Sequence, residues 1–482
     1  MKMIINKYKS IPIQAKASFW FLICSFLQKG ISMITTPIFT RLLSTSEYGQ
    51  FNVFNSWMGI VTIIISLNLC GGVYLQGLVK FEKQRLEFSS AIEGLTLVLC
   101  CIWTFIYVIF KNFFNSLFSL TTAQMYLMII LIWTSSILGF WSAEQRTMYK
   151  YKLLVTVTFL TSVLKPFISI VLIKFMDDHV TARILGIALV QMFMHTWMFF
   201  YQMFRGKLFF SSNIWGYVLR FNIPLLPHYL SQTVLNSADR IMIQNLVNPS
   251  SAGIYSLAYS LAQIMIIFNN SLVSTLDPWI YRKIRDRKIE DIGPISYVTL
   301  IFVGGVNIFL IAFAPEAVKV FAPPEYYDAV WCLPPIAMSV YFLFTYDLFA
   351  KFEFYFEKTK LIAASTVGGA LLNIISNYIF IRLFGYYAAA FTTLGCYILY
   401  SLLHFCAMES VCKTELDGVY PYSKRKLIEI TTIFLLIGTL YMLTYFNNIL
   451  RYLFSVLLII LVLLYRKRIT NAIHEFMLIR KS

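Results

Sequence analysis

Long apolar runs, each about the length of a bilayer span, alternate with short polar links along the whole chain. A spanning helix needs about 20 mostly apolar residues. Fourteen segments meet that test: 17–40, 50–72, 88–110, 123–143, 153–173, 184–204, 216–238, 252–276, 294–314, 330–350, 361–381, 386–408, 427–446 and 449–465. The pattern predicts an all-α integral membrane protein with about fourteen transmembrane helices. Pro224 and Pro227 interrupt the seventh segment, which makes it a broken helix and a candidate hinge. The links are too short to hold a soluble domain.

Composition agrees with this pattern. Of 482 residues, 59% are hydrophobic and 13% are charged, whereas a soluble domain is about half apolar and about a quarter charged. Lipid must cover much of that surface. The net charge is +17, spread in small groups between apolar runs. That is a topology signal and not a nucleic-acid footprint. With the N-terminus placed in the cytoplasm, 29 of the 40 Lys and Arg fall on the cytoplasmic side and 8 on the outer side. Lys351 counts among the former and Arg183 among the latter. The other 3, Lys29, Lys165 and Arg220, lie inside helices. This bias predicts both termini in the cytoplasm and a retained first helix, not a cleaved signal. The eight cysteines lie in or beside apolar runs and read as free thiols packed among helices.

An internal repeat is visible. Ser46-Glu47-Tyr48-Gly49-Gln50-Phe51 follows the first helix, and Ser250-Ser251-Ala252-Gly253-Ile254-Tyr255 follows the seventh, 204 positions later. Lys152-Leu153 and Lys360-Leu361 echo each other at 208 positions. The repeat unit is six helices, so two pseudo-symmetric lobes are expected at 1–212 and 213–412, with two further helices in 413–482. Parallel repeats of this kind suit a central cavity and alternating access, and so point to a transporter.

Three stretches resemble the Wzx-type flippases of polysaccharide biosynthesis, a branch of the superfamily that also holds lipid II flippases and multidrug and toxin extruders. The first is Pro37-Ile38-Phe39-Thr40-Arg41-Leu42-Leu43-Ser44 with Glu47-Tyr48-Gly49. The second runs from Ile223-Pro224-Leu225-Leu226-Pro227-His228 through Leu235-Asn236-Ser237-Ala238-Asp239-Arg240 to Ala252-Gly253-Ile254-Tyr255. The third holds Lys358-Thr359-Lys360, Asn373, Asn377, Tyr378, Phe384-Gly385, Ala388-Ala389-Ala390 and Thr392-Thr393. The resemblance implies a flippase that moves undecaprenyl-diphosphate-linked oligosaccharide across the bacterial cytoplasmic membrane, for O-antigen or capsule. It also implies membrane lipids, polymerase or glycosyltransferases as partners. No cofactor or metal is expected.

Charges inside apolar helices usually face a bundle interior or an aqueous cavity, because one at the centre costs about 2.5–3.5 kcal/mol on insertion scales. Lys29 and Lys165 read as cations that receive the cargo's diphosphate or acidic sugars. The alternatives are snorkelling or an acidic partner for Lys29, and local carbonyls freed by Pro166 for Lys165. Arg220 and His228 join the binding candidates; their plainer readings are a topology charge and a packing histidine. Arg41, Asp239 and Arg240 read as an outer gate, with Arg41 pairing Asp239, or else as helix-end anchors. Glu93 and Asp347 read as ion-coupling candidates or as neutralising partners of the two lysines.

The chain contains no H-E-x-x-H, P-loop or G-x-S-x-G motif, and His179, His195, His228, His404 and His474 are scattered. An enzyme is not expected. A multidrug extruder of the same superfamily, or a membrane polymerase or ligase of the same pathway, is the alternative.

Overall fold

The structure, a computed structural model, describes residues 12–464, less the side chains of 15, 359–361, 363, 461, 462 and 464. Both chain ends, which the charge tally assigns to the cytoplasm, lie outside the described residues. The described chain is helical throughout, with no strand. It divides into two compact units, Met1–Ser237 and Ala238–Ser482.

The first unit runs α1 Ile13–Leu42, α2 Thr45–Ser66, α3 Val73–Lys80, α4 Arg85–Ile109, α5 Lys111–Phe118, α6 Thr122–Thr147, α7 Tyr151–Ile173, α8 His179–Gly206 and α9 Ser212–Asn222. Helix α10, Leu226–Leu246, holds the division between the units. The second unit continues with α11 Pro249–Arg285, α12 Ile292–Ala312, α13 Ala314–Phe321, α14 Ala329–Tyr355, α15 Thr359–Phe384, α16 Tyr387–Glu415, α17 Lys424–Leu443 and α18 Asn448–Leu464.

Each of the fourteen apolar segments falls on a helix. Eleven helices among the described residues are long and apolar enough to cross a membrane, which makes this a multi-pass membrane protein. Fourteen spans are not reached on length and composition alone. Helix α2 opens with Glu47, Gln50, Asn52 and Asn55, and α10 carries Gln232, Asn236, Asp239 and Arg240, so both are too polar. Helix α18 is too short, its described apolar stretch ending at Ile460. Eight-residue α3, α5 and α13 occupy positions expected to be links.

Local chemistry sets several helix starts. Ser44 and Glu47 form a reciprocal capping box on α2: the Glu47 N–H donates to Ser44 Oγ at 3.2 Å, and the Ser44 N–H donates to Glu47 Oε2 at 2.8 Å. Thr121 and Gln124 do the same for α6. Asn248 caps α11 through the Ser251 N–H at 2.7 Å. Ser44 and Asn248 stand 204 positions apart, so the repeated stretches open their helices with equivalent caps.

In the first unit α8 packs against α7, α6, α4 and α2. Side-chain amides bridge α6 to α8, with Gln124 to Thr181 at 3.1 Å, Thr134 to Gln191 at 2.8 Å and Gln202 to Glu144 at 2.8 Å. Such bonds hold helices together where lipid supplies no hydrophobic drive. In the second unit α14 is the core helix: its most apolar window is 78% buried, against 11% for α1. It packs on α11, α12, α15, α16 and α17.

The predicted break is present. Helix α9 ends at Asn222, a 3-10 turn spans Ile223–Leu225, and α10 restarts at Leu226. Each proline sits near the start of a new helical turn, where its missing N–H is tolerated. The turn rests on the α2–α3 link, where Asn222 Nδ2 donates to the Leu67 carbonyl at 2.9 Å. Gly72 closes that contact, since a Cβ there would lie 2.6 Å from Asn222 Oδ1.

Two charges depart from the sequence reading. Arg183 and Lys351 were assigned to loops, but α8 starts at His179 and α14 runs on to Tyr355, so both are helical. Lys351 is 7% exposed.

Candidate functional site

The first unit contains a polar cavity of about 260 Å³ built by one stripe from each of four helices. Helix α1 contributes Gln28, Ile31, Ser32, Thr35 and Phe39, which recur every three to four residues and so share a face. Helix α7 contributes Ser162, Lys165, Pro166 and Ser169; α8 contributes Arg183 and Ile187; α2 contributes Phe51. None of these lining residues is acidic.

The two cations are held differently. Lys165 has no hydrogen bond or ion pair among the described residues, so the local-carbonyl alternative for it does not apply. Its ammonium is a compact charge directed by Pro166 next to it. The Arg183 guanidinium lies over the rings of Phe39 and Phe51, at 3.7 and 3.5 Å from their centroids. Cation–π contact suits this weakly hydrated, planar group. Both residues depend on a close approach of α7 to α8. A Cβ on Gly186 would stand 2.6 Å from the Ser169 Cα, and Ser169 Oγ donates to the Arg183 carbonyl at 3.0 Å. Lys165 is one turn before Ser169, and Arg183 is almost one turn before Gly186. The glycine contact therefore sets both cations on one wall.

Lys29 is exposed on α1, off the stripe that lines this cavity, and carries no ion pair among the described residues. Arg220 is exposed in the last turn of α9. His228 is half-buried beside the proline break, with its ring 5.9 Å from that of Tyr229. Arg183, which the cavity does contain, was missed because the sixth segment was started one residue too late. The Asp178 cap, accepting from the Thr181 N–H at 2.9 Å, was the available signal.

A second polar assembly lies in the second unit. Asp239 is 2% exposed, and its carboxylate accepts from Tyr255 Oη at 2.7 Å, Thr393 Oγ1 at 2.8 Å and Asn377 Nδ2 at 2.6 Å. Asn377 also donates to Asn373 Oδ1 at 3.2 Å and accepts from Thr392. The second and third stretches of family resemblance thus converge on one network from α10, α11, α15 and α16. It carries a single negative charge amid neutral donors, and three short bonds to the carboxylate keep that charge in place. Arg240 turns away, its guanidinium 4.1 Å from the Tyr259 ring centroid. Arg41 closes α1 and donates to the Pro37 carbonyl at 2.8 Å.

The two ion-coupling candidates have separate surroundings. Glu93 is 1% exposed, and neither carboxyl oxygen has a hydrogen-bond partner among the described residues. Phe88, Ile92 and Phe140 pack around it, and Glu144 lies within Coulomb reach. Asp347 pairs with Lys351 at 3.3 Å, and Lys351 also bonds Asp277 at 2.9 Å. Asp347 therefore has its own cation one helical turn away. Among the described residues no three His, Cys, Asp or Glu side chains converge as a metal site.

Comparison with known proteins places these features in a family. The polysaccharide biosynthesis protein family matches residues 15–283, and the MatE family matches residues 224–379. An Lsg-locus protein of Haemophilus influenzae is 21% identical over 391 residues, covering 75% of this chain and 90% of that one. Among solved structures, the lipid II flippase MurJ in an inward closed conformation aligns with a TM-score of 0.67 at 14% identity, over 93% of this chain and 99% of its own. An inward-facing multidrug resistance transporter of the MATE family aligns with a TM-score of 0.61 at 14% identity, over 80% and 96%. The fold is therefore that of the MurJ and MATE proteins, and the chain belongs to the polysaccharide biosynthesis protein family.

Proposed function

We propose that this protein is a flippase. Its cargo on this reading is an undecaprenyl-diphosphate-linked oligosaccharide, moved from the cytoplasmic to the outer face of the bacterial cytoplasmic membrane by alternating access, for O-antigen or capsule. The observation that carries the reading is the acid-free cavity holding Lys165 and Arg183 between membrane-spanning helices. An intramembrane cation with no counter-ion is expensive unless a ligand supplies the negative charge. A diphosphate or an acidic sugar does so, and Arg presents the planar fork that suits phosphate. Lys29, Arg220 and His228 are the further binding candidates, the break at Pro224 and Pro227 is the hinge, and a polymerase or glycosyltransferase is the expected neighbour.

The test is complementation of a deletion strain with wild type, Lys165→Ala, Arg183→Ala and Lys29→Ala at matched protein levels. Lipid-linked repeat units facing the cytoplasm and surface polymer are both quantified. The expected result is that Lys165→Ala and Arg183→Ala accumulate the former and lose the latter, at least tenfold. Repeat units that reach the outer face unpolymerised would point instead to a pathway enzyme. Arg41 and Asp239 are tested as a gate by exchanging their charges: recovery in the double variant of activity lost in each single variant supports it.

The MATE fold match and the MatE family match favour a second reading, drug extrusion. Extruders of organic cations need an acidic cavity, and this one is basic. Unchanged drug resistance in the deletion strain is the expected outcome.

A further inference from the structure

We propose that Glu353 on α14 and His404 on α16 form a proton-binding site in the second unit. The two side chains are each 0% exposed, and His404 Nδ1 lies 2.6 Å from Glu353 Oε1. This is a direct contact between neighbouring helices inside the unit. The other two polar atoms of the pair, Glu353 Oε2 and His404 Nε2, are buried without a hydrogen-bond partner among the described residues.

Such a pair does not behave as a fixed structural clasp. With one shared proton it is a carboxylate against a neutral imidazole and carries one net negative charge. A second proton makes it neutral overall, as an imidazolium facing a carboxylate or an imidazole facing a carboxylic acid. Burial penalises net charge and favours the second form. The surroundings set how firmly that proton is held. Lys351 brings one positive charge, but Asp277 and Asp347 both claim it. Asp347 lies within Coulomb reach of His404. Aromatic hydroxyls supply the remaining neighbours. The ring centroids of Tyr346 and Tyr400 stand 4.8 and 4.6 Å from that of His404. Tyr400 Oη meets Thr366 Oγ1 at 3.2 Å, and Tyr397 packs edge-on to Tyr400. With His404 neutral, the three carboxylates outnumber the single ammonium. The local field therefore invites one more proton.

The bound species is thus a proton taken from water. Its arrival changes only the charge of the pair and breaks no covalent bond. Because Glu353 and His404 sit on different helices, binding and release act directly on how α14 packs against α16. Glu353 is two residues from the end of α14, so opening the last turn suffices to admit water.

The full-length protein in lipid nanodiscs, labelled with nitrogen-15 histidine, tests this by pH titration. The signal lost in His404→Gln should change protonation state between about pH 5 and 8. In Glu353→Gln its midpoint should fall by one unit or more, about a tenfold loss of proton affinity. A His404 signal fixed in one state across that range would overturn the proposal, as would a midpoint unmoved in Glu353→Gln. If His404→Gln does not fold, a pH-jump with an indicator dye compares wild type with Glu353→Gln, which keeps the Nδ1 contact. One fewer proton taken up by the variant supports the site, and equal uptake rejects it.

Discussion

The two cations of the cavity are not interchangeable. Arg183 lies over two aromatic rings, a setting for a planar, delocalised charge, whereas Lys165 stands without a stacking partner as a point charge. Arg183→Lys should therefore impair polymer export several-fold while Lys165→Arg is tolerated, measured by surface polymer per unit of protein. Asp239 presents a different case. Truncation to alanine leaves Tyr255, Thr393 and Asn377 donating to nothing. Breaking a buried charged network of this kind costs about 3–5 kcal/mol. Asp239→Ala should melt well below wild type in detergent, and Asp239→Asn should lie between the two.

At the scale of helices, close contact decides placement. Gly186→Ala forces α8 away from the Ser169 backbone, and overpacking costs about 1–3 kcal/mol. The variant should lose thermal stability, and it should also lose polymer export, because the same contact carries Lys165 and Arg183. Removing the α2 cap by Ser44→Ala should cost about 1 kcal/mol, read as a lower melting temperature with export retained. What was legible in the sequence follows from the same physics. Apolar period and proline chemistry located the fourteen helices and the break at Ile223–Leu225 well, because both are local properties. The cavity was half legible. Lys165 announced itself as a charge within an apolar run, but Arg183 lay at a helix end whose boundary depends on a cap. The Asp239 network was not legible from any single segment. Its members are 138 and 154 positions apart, and only packing joins them. Lys351 hid for the opposite reason: α14 continues past the apolar run because Asp277 and Asp347 neutralise it.

For the whole molecule, the charge bias gives a directional expectation that geometry within the units does not test. Reporter fusions in the links after α8, near 207–211, and after α11, near 286–288, should report the cytoplasm. A fusion near 175–178, between α7 and α8, should report the outside. The reverse pattern would invert the transport direction proposed above. The two units also divide the chemistry. The described basic cavity belongs to Met1–Ser237, while the Asp239 network and the acid-rich surroundings of Lys351 belong to Ala238–Ser482. An anion and a proton would each find a suitable partner in a different half of the chain.

The size of the basic cavity has one more consequence. At roughly 30 Å³ per water, its 260 Å³ would hold about nine waters. That is room for a pyrophosphate or for one hexose ring, and not for a branched repeat unit. Discrimination in this cavity would then fall on the group nearest the lipid linkage, while sugars further out escape inspection. A transporter built this way would tolerate diversification of the distal sugars, so that new surface polymers arise by exchange of glycosyltransferases alone.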